Sequence, residues 1–312
     1  MNRSAARRIA TAAGVVVLFA ALAGVGSAMH FASWGAPTNA EAVPGASSDL
    51  NTPFNDGCPI QSPDGLSLYI ASNRPGGLGG QDIWVAHRES RDAPWGAPEN
   101  VGAPVNSAAN DFCPTPLQGN RLLFVSERGG AGTCGSGDIY MTRRNPAHGW
   151  DEPRNLGCQV NSAAGEAGPS YFETASGGQL YFSSTKSGDS NIYVSTQLAD
   201  GSFGAAVPVA SLNTASDDFR PNVRKDGLEV VFDSNRAGTL GGQDIWSSTR
   251  DSTEEGWSTP IDLTTVNSPA NETRASLSWD GRTLTFGSNR PGTEGMADVY
   301  ESTRDKLTHV AG

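Results

Sequence analysis

"SNRPGGLGGQDIW" occupies residues 72–84 and "SNRAGTLGGQDIW" occupies 234–246, so one thirteen-residue phrase returns almost unchanged after 162 residues. The interval divides further. Aligned on the acid near the end of the phrase, "GGQDIW" at Asp82 is followed by "GSGDIY" at Asp138, "GDSNIY" at Asn191, "GGQDIW" at Asp244 and "GMADVY" at Asp298, in steps of 56, 53, 53 and 54 residues. Self-similarity at a fixed period of this size marks an array of small units, each too small to bury its own apolar face alone.

Each unit carries the same landmarks in the same order. It opens on an acid, followed three residues later by proline in four units: Asp56 and Pro59, Asp111 and Pro114, Glu166 and Pro169, Asp218 and Pro221. The fifth unit has Glu272 but Ala275 in the proline position. A turn such as "SPDG" at 62 or "SWDG" at 278 precedes a strand-like run ending in serine: "LYIAS", "LLFVS", "LYFSS", "VVFDS" and "LTFGS". Two residues after that serine stands a base: Arg74, Arg128, Lys186, Arg236 and Arg290. After the "DIW" strand a fourth segment opens on an aromatic, at Trp95, Trp150, Phe203 and Trp257. Four short strands per unit of about 54 residues is the pattern of a β-propeller blade.

The fifth unit ends at "ESTRDKLTHVAG" without a fourth segment, while "SWGAPTNAEAVPGASSDLNTPFND" near the start offers Trp34 and Asn51 in the order of Phe203 and Asn213. The expected fold is therefore all-β: a five-bladed β-propeller of four-stranded blades, closed by an N-terminal strand around Trp34 that completes the last blade. Such closure leaves no unpaired sheet edge at the seam. The "SPDG" turn, apolar strand, S-x-R, Gly-rich loop and "DIY/DIW" strand together resemble the TolB-type, WD40-like β-propeller repeat over residues 34–304. The resemblance implies a propeller whose partner is another envelope protein or a peptide, engaged at the loop face. Blade three departs from the pattern at Lys186 and Asn191, and blade five at Ala275.

The thirty-eight glycines and nineteen prolines suit many turns better than long helices. The first residues differ: Arg3, Arg7 and Arg8 precede an apolar run, and the small residues Gly26 and Ala28 stand where a cleavage site needs them. Residues 1–28 are read as a secretory signal peptide, with an uncleaved membrane anchor as the alternative, and 29–312 as a single propeller domain in the periplasm or outside the cell. Cleavage removes three arginines and no acid, so the formal charge moves from −11 to −14. A chain this acidic does not attract nucleic acid or anionic lipid by bulk charge. No feature calls for association with a second copy, and a monomer is expected.

In this topology the acids Asp56, Asp111, Glu166, Asp218 and Glu272 gather on the loop face near the channel mouth, with the five bases. A carboxylate ring could hold Ca²⁺. One acid and one base per blade is equally the stoichiometry of an ion-pair clasp repeated around the ring, which is the reading preferred. The "DI" acids are expected to turn back onto loop amides, and Trp84, Tyr140, Tyr193, Trp246 and Tyr300 to pack between blades. "RPGGLGG" lacks the following helix and Lys-Ser/Thr of a phosphate-binding loop.

Four cysteines in an exported chain form a disulfide framework. Register pairs Cys134, in the loop before a third strand, with Cys158, just past the neighbouring outer strand. Cys58 and Cys113 occupy equivalent positions on adjacent inner strands and form the second candidate pair. The four histidines fall in no nucleophile or zinc motif. No catalytic, cofactor or metal-ligating residue is assigned, and the expected role is a non-enzymatic scaffold binding protein or peptide in the cell envelope. The rival is a glycan-binding or glycoside-hydrolysing five-bladed propeller, whose two carboxylates would come from acids outside the repeat: Glu99, Glu127, Glu173, Asp217 and Asp233.

Overall fold

The computed structural model describes residues 31–174 and 177–307, so the segment read as a signal peptide lies outside the described residues. The chain forms five antiparallel sheets. Blade 1 runs Asp56–Gln61, Ser67–Ser72, Asp82–His87 and Glu99–Asn100 from the inside outwards. Blades 2, 3 and 4 begin at the inner strands Asp111–Leu117, Glu166–Thr174 and Asp218–Val223 and repeat that order. In blade 2 the third strand extends to Asn145 and adds a hairpin with Gly149–Trp150. Blade 5 contributes Glu272–Leu277, Thr283–Ser288 and Asp298–Thr303, and its fourth strand is Thr38–Asn39 from the other end of the chain.

That closure has a definite register. Thr38 faces Glu301 and Asn39 faces Tyr300. The Gly35 amide donates to the Thr303 carbonyl at 2.9 Å, and Trp34 is buried with Leu284, Phe286 and Tyr300. The expected ring of five blades, closed around Trp34, is the observed one.

Strand alternation accounts for the packing. The middle strands bury Phe124, Phe182, Phe232 and Phe286 completely. The third-strand aromatics Trp84, Tyr140, Tyr193, Trp246 and Tyr300 are all buried, three of them stacked on the neighbouring phenylalanine: Phe124–Tyr140, Phe182–Tyr193 and Phe286–Tyr300, at 6.0, 6.1 and 6.0 Å. Burying such a ring contributes about 1.5–3 kcal/mol, so the five equivalent sites carry much of the inter-blade cohesion.

The acid-x-x-proline landmark has a local cause. Each inner strand shifts register just after its acid, between Gly57 and Ile60, Phe112 and Thr115, Ala167 and Ser170, Phe219 and Asn222, and Thr273 and Ser276. A bulge frees one residue from the ladder, which is where a proline without an N–H is tolerated. The residue before the proline position adopts a left-handed conformation in every blade: Cys58, Cys113, Gly168, Arg220 and Arg274 have φ between 47° and 58°. Only one of the five is glycine, although the conformation is costly for other residues, on the order of 1–3 kcal/mol each.

Candidate functional site

Strand register brings the acid, the serine and the "DI" acid of each blade to one level, as Asp56–Ser72–Asp82 or Asp218–Ser234–Asp244. On this loop face Arg74 donates to Asp56 at 2.5 Å, Arg128 to Asp111 at 2.8 Å and Arg290 to Glu272 at 3.0 Å, and Arg236 pairs with Asp218. Each guanidinium also takes the preceding serine hydroxyl through Nε, and a backbone carbonyl of the incoming connection: Leu50, Val105, Leu212 or Val266. The second carboxylate oxygen accepts from the amide and hydroxyl of Thr52, Ser107, Thr214 or Ser268, the last serving Glu272 with both oxygens. Both oxygens of each of these four carboxylates are thus engaged within the clasp. The acids are at most 2% exposed.

Blade 3 is built differently. Glu166 accepts from Ser162 and Ser184, and the Lys186 ammonium lies 3.8 Å from the centre of the Tyr193 ring. Burial raises the Glu166 carboxyl above its ordinary range. The "DI" acids fold the Gly-rich loops: Asp82 accepts from the amides of Leu78 and Gly79, Asp138 from Cys134 and Gly135, and Asp244 from Leu240 and Gly241. A Cβ at Gly79 would lie 1.9 Å from the Ala109 carbonyl oxygen, and one at Gly241 1.7 Å from that of Ala270. These glycines let each loop press against the next connection.

Moving down the axis, the left-handed residues form a second layer. Of the two expected disulfides one is formed, Cys134–Cys158; the second candidate pair is not bonded, the Sγ atoms of Cys58 and Cys113 lying 2.7 Å apart as free thiols. Across from them Arg220 pairs with Asp233 at 2.5 Å. Arg274 is fully buried and reaches over the axis to Thr115 Oγ1 at 3.0 Å and to the carbonyls of Pro114 and Pro169, each at 3.4 Å. Those residues belong to blades 2 and 3, neither of which adjoins blade 5, so Arg274 crosses the channel and plugs it.

Below the plug, on the face that carries the "SPDG" turns, the channel opens into a cavity of about 270 Å³. Its walls mix apolar Ile60, Leu117, Phe172, Val223 and Leu277 with polar Gln61, Thr115, Ser170 and Asn222, and Tyr171, Trp279, Lys225, Arg121 and Glu173 stand towards the rim. Glu173 is the one carboxylate among the lining residues, and it pairs with Arg121 at 3.1 Å. Lys225 lies 4.1 Å over the Trp279 ring.

The acids outside the repeat fall into separate settings. Glu99 is on an outer strand, Glu127 accepts from Asn110, Asp217 meets Asn235 and the Ser190 amide, Asp233 is buried against Arg220, and Glu173 is at the cavity rim. Among the described residues no three His, Cys, Asp or Glu side chains are grouped to hold a metal ion. One network has no counterpart in the sequence reading: buried Glu229 takes both Arg224 and Arg304, and Arg304 covers Phe31 and Trp34, locking blade 4 to the closing strand. Its signal was available, because Arg224 and Glu229 replace the two serines that flank the turn in blade 1, Ser62 and Ser67.

No family model and no curated protein matches the chain. Solved structures do. An α-L-arabinofuranosidase from Lactobacillus brevis superposes with a TM-score of 0.55 at 13% identity, over 85% of this chain and 94% of that one. The α-L-arabinofuranosidase PaAbf62A from Podospora anserina gives 0.54 at 11% identity, over 88% and 97%. TolB from Acinetobacter baumannii gives 0.47 at 14% identity over 79% of this chain, which spans about half (53%) of that structure. At such identities the likeness concerns fold alone. The chain is a five-bladed β-propeller, and neither the hydrolases nor TolB supplies its function.

Proposed function

We propose that the protein is an exported, non-enzymatic binding propeller that receives a peptide or protein segment in the cavity at the turn end of its axis. The observation that carries this reading is the chemistry of the cavity: apolar side chains among neutral polar ones, three aromatic residues and a single, ion-paired carboxylate. Hydrolysis of a glycosidic bond by the usual route needs two carboxylates about 5–9.5 Å apart; the cavity lining offers one. The loop-face charges, where a TolB-like partner would dock, are engaged in the clasps that join consecutive blades. Apolar side chains with a polar rim are what an inserted hydrophobic residue of a partner requires.

Tyr171 and Trp279 also favour a second reading, a sugar ring stacked in the same cavity. One experiment separates them. Residues 29–312, wild type and Trp279→Ala, are applied to a glycan array and to a library of synthetic apolar peptides. Peptide binding that is lost in the variant supports the scaffold. Glycan binding lost in the variant, without peptide binding, replaces it with a lectin, and release of free sugar would make the protein a hydrolase.

A further inference from the structure

The second layer of the axis holds charge that the first does not explain. Two guanidiniums, Arg220 and Arg274, converge there, and the carboxylate that meets them is Asp233, which receives the Arg220 side chain and the Arg274 backbone amide. Nε and Nη1 of Arg274 are buried without a hydrogen-bond partner. Gly168 keeps this space open, since a Cβ there would sit 2.8 Å from Arg274 Nη1. One carboxylate thus serves two guanidiniums, and leaving N–H groups of a buried guanidinium without acceptors is expensive. The groups remaining on the axis to supply negative charge are the two cysteines, whose sulfurs are in contact.

We propose that Cys58 and Cys113 form a redox-active dithiol on the propeller axis, beside Arg274 and Arg220, that closes to a second disulfide when it meets a small-molecule disulfide. The hydrogen bond from the Cys58 thiol, followed by the charges of Arg274 and Arg220, outweighs burial and brings Cys113 down to about 6; the same bond, with burial, drives Cys58 well above its ordinary value. The opposite directions of the two thiols favour a pair that shares one proton between its sulfurs. Two guanidiniums beside the sulfurs oppose a metal cation and favour this anion.

Access sets the order of events. Cys113 is buried, and Cys58 is the less buried of the two. The shared proton passes from Cys58 to Cys113, and the Cys58 thiolate attacks one sulfur of the disulfide RSSR, so that one S–S bond breaks, a mixed disulfide forms and RS⁻ leaves. The Cys113 proton goes to that RS⁻, and the Cys113 thiolate attacks Cys58 Sγ and expels the second RS⁻. The protein loses two electrons to RSSR, which departs as RSH and RS⁻. A structural disulfide resists the glutathione pool, whereas one whose reduced form is stabilised as a thiolate is reducible. Cys134–Cys158, already closed in a surface loop away from the axis, serves as the internal reference.

The test equilibrates the folded wild-type protein in glutathione buffers of graded GSH to GSSG ratio, quenches with acid, alkylates, and quantifies each cysteine by peptide mass spectrometry. The expected result is a Cys58–Cys113 disulfide whose fraction follows the buffer ratio while Cys134–Cys158 stays oxidised. Two results overturn the proposal: Cys58 and Cys113 remaining thiols in pure GSSG, or remaining bonded in pure GSH together with the reference pair. Arg274→Met supplies a second reading, lowering the rate of the first alkylation of the pair at pH 7 several-fold. The ceiling is roughly thirty-fold, reached if the thiol returns to about 8.5; an unchanged rate refutes the role of Arg274. If that variant does not fold, the wild-type glutathione curve decides alone.

Discussion

Blade 3 provides a natural control for the energetics of the clasp. In blade 4, Arg236 holds Asp218 and the Leu212 carbonyl, with the arginine side chain 10% exposed and the aspartate 0%. Replacing Arg236 by Met leaves a buried carboxylate with its hydroxyl and amide donors but without its counter-ion. Removing one partner of a buried pair costs about 3–5 kcal/mol, because the other charge stays desolvated. In blade 3 the corresponding Lys186 makes no ion pair with Glu166 and rests on Tyr193. A cation over an aromatic ring at a partly exposed site contributes about 0.5–1 kcal/mol, so Lys186→Met should cost no more than that. Urea unfolding of both variants, followed by tryptophan fluorescence and by circular dichroism with coincident transitions as the check on cooperativity, measures the difference. The double variant Asp218→Asn with Arg236→Met should recover part of the loss, since no charge is then left unpaired. Equal losses for Arg236→Met and Lys186→Met would refute the account of the clasp.

Three further outcomes follow from the same geometry. Trp34→Ala should destabilise by about 3–5 kcal/mol and open the seam, so that limited proteolysis cuts near the start of blade 5's closing strand before it cuts elsewhere; a uniform cleavage pattern would argue against closure by that strand. Loss of the Cys134–Cys158 disulfide, which spans 24 residues, should lower stability by about 3 kcal/mol, read as a shift of the urea midpoint on replacing both cysteines by serine. Glu301 is half-buried, accepts from Trp95 Nε1 and titrates above its ordinary value because its carboxyl is desolvated. A carboxyl raised in the folded state adds stability that is full below the unfolded value, about 4.3, and lost as pH rises through the raised one. Urea midpoints measured from pH 4 upward should therefore fall less steeply in Glu301→Gln than in the wild type.

Much of this architecture was legible in the chain because a propeller writes its symmetry as a period. The recurrence of Asp82, Asp138, Asn191, Asp244 and Asp298 counted the blades, and the missing fourth segment after Asp298, matched to Trp34, located the seam. Local rules sufficed there: each landmark acts on residues a few positions away or on the adjacent strand. The Arg224–Glu229–Arg304 network was also within reach, as a break in the turn pattern, but charges in a turn ordinarily face water and nothing local says otherwise.

The axis belongs to the tertiary structure. Cys58, Cys113, Gly168, Arg220 and Arg274 share one backbone conformation and one repeat position; the two cysteines were legible as a candidate pair, but the differing side chains of the other three left nothing to join them to it. Only the closing of the ring turns five separate bulges towards one line, where Arg274 meets blades that are not its neighbours and stands across from the two cysteines. The period determined how many sheets there would be and which strand would complete the last. What the sheets enclose depended on the diameter of the ring they make together, a distance that no single blade contains.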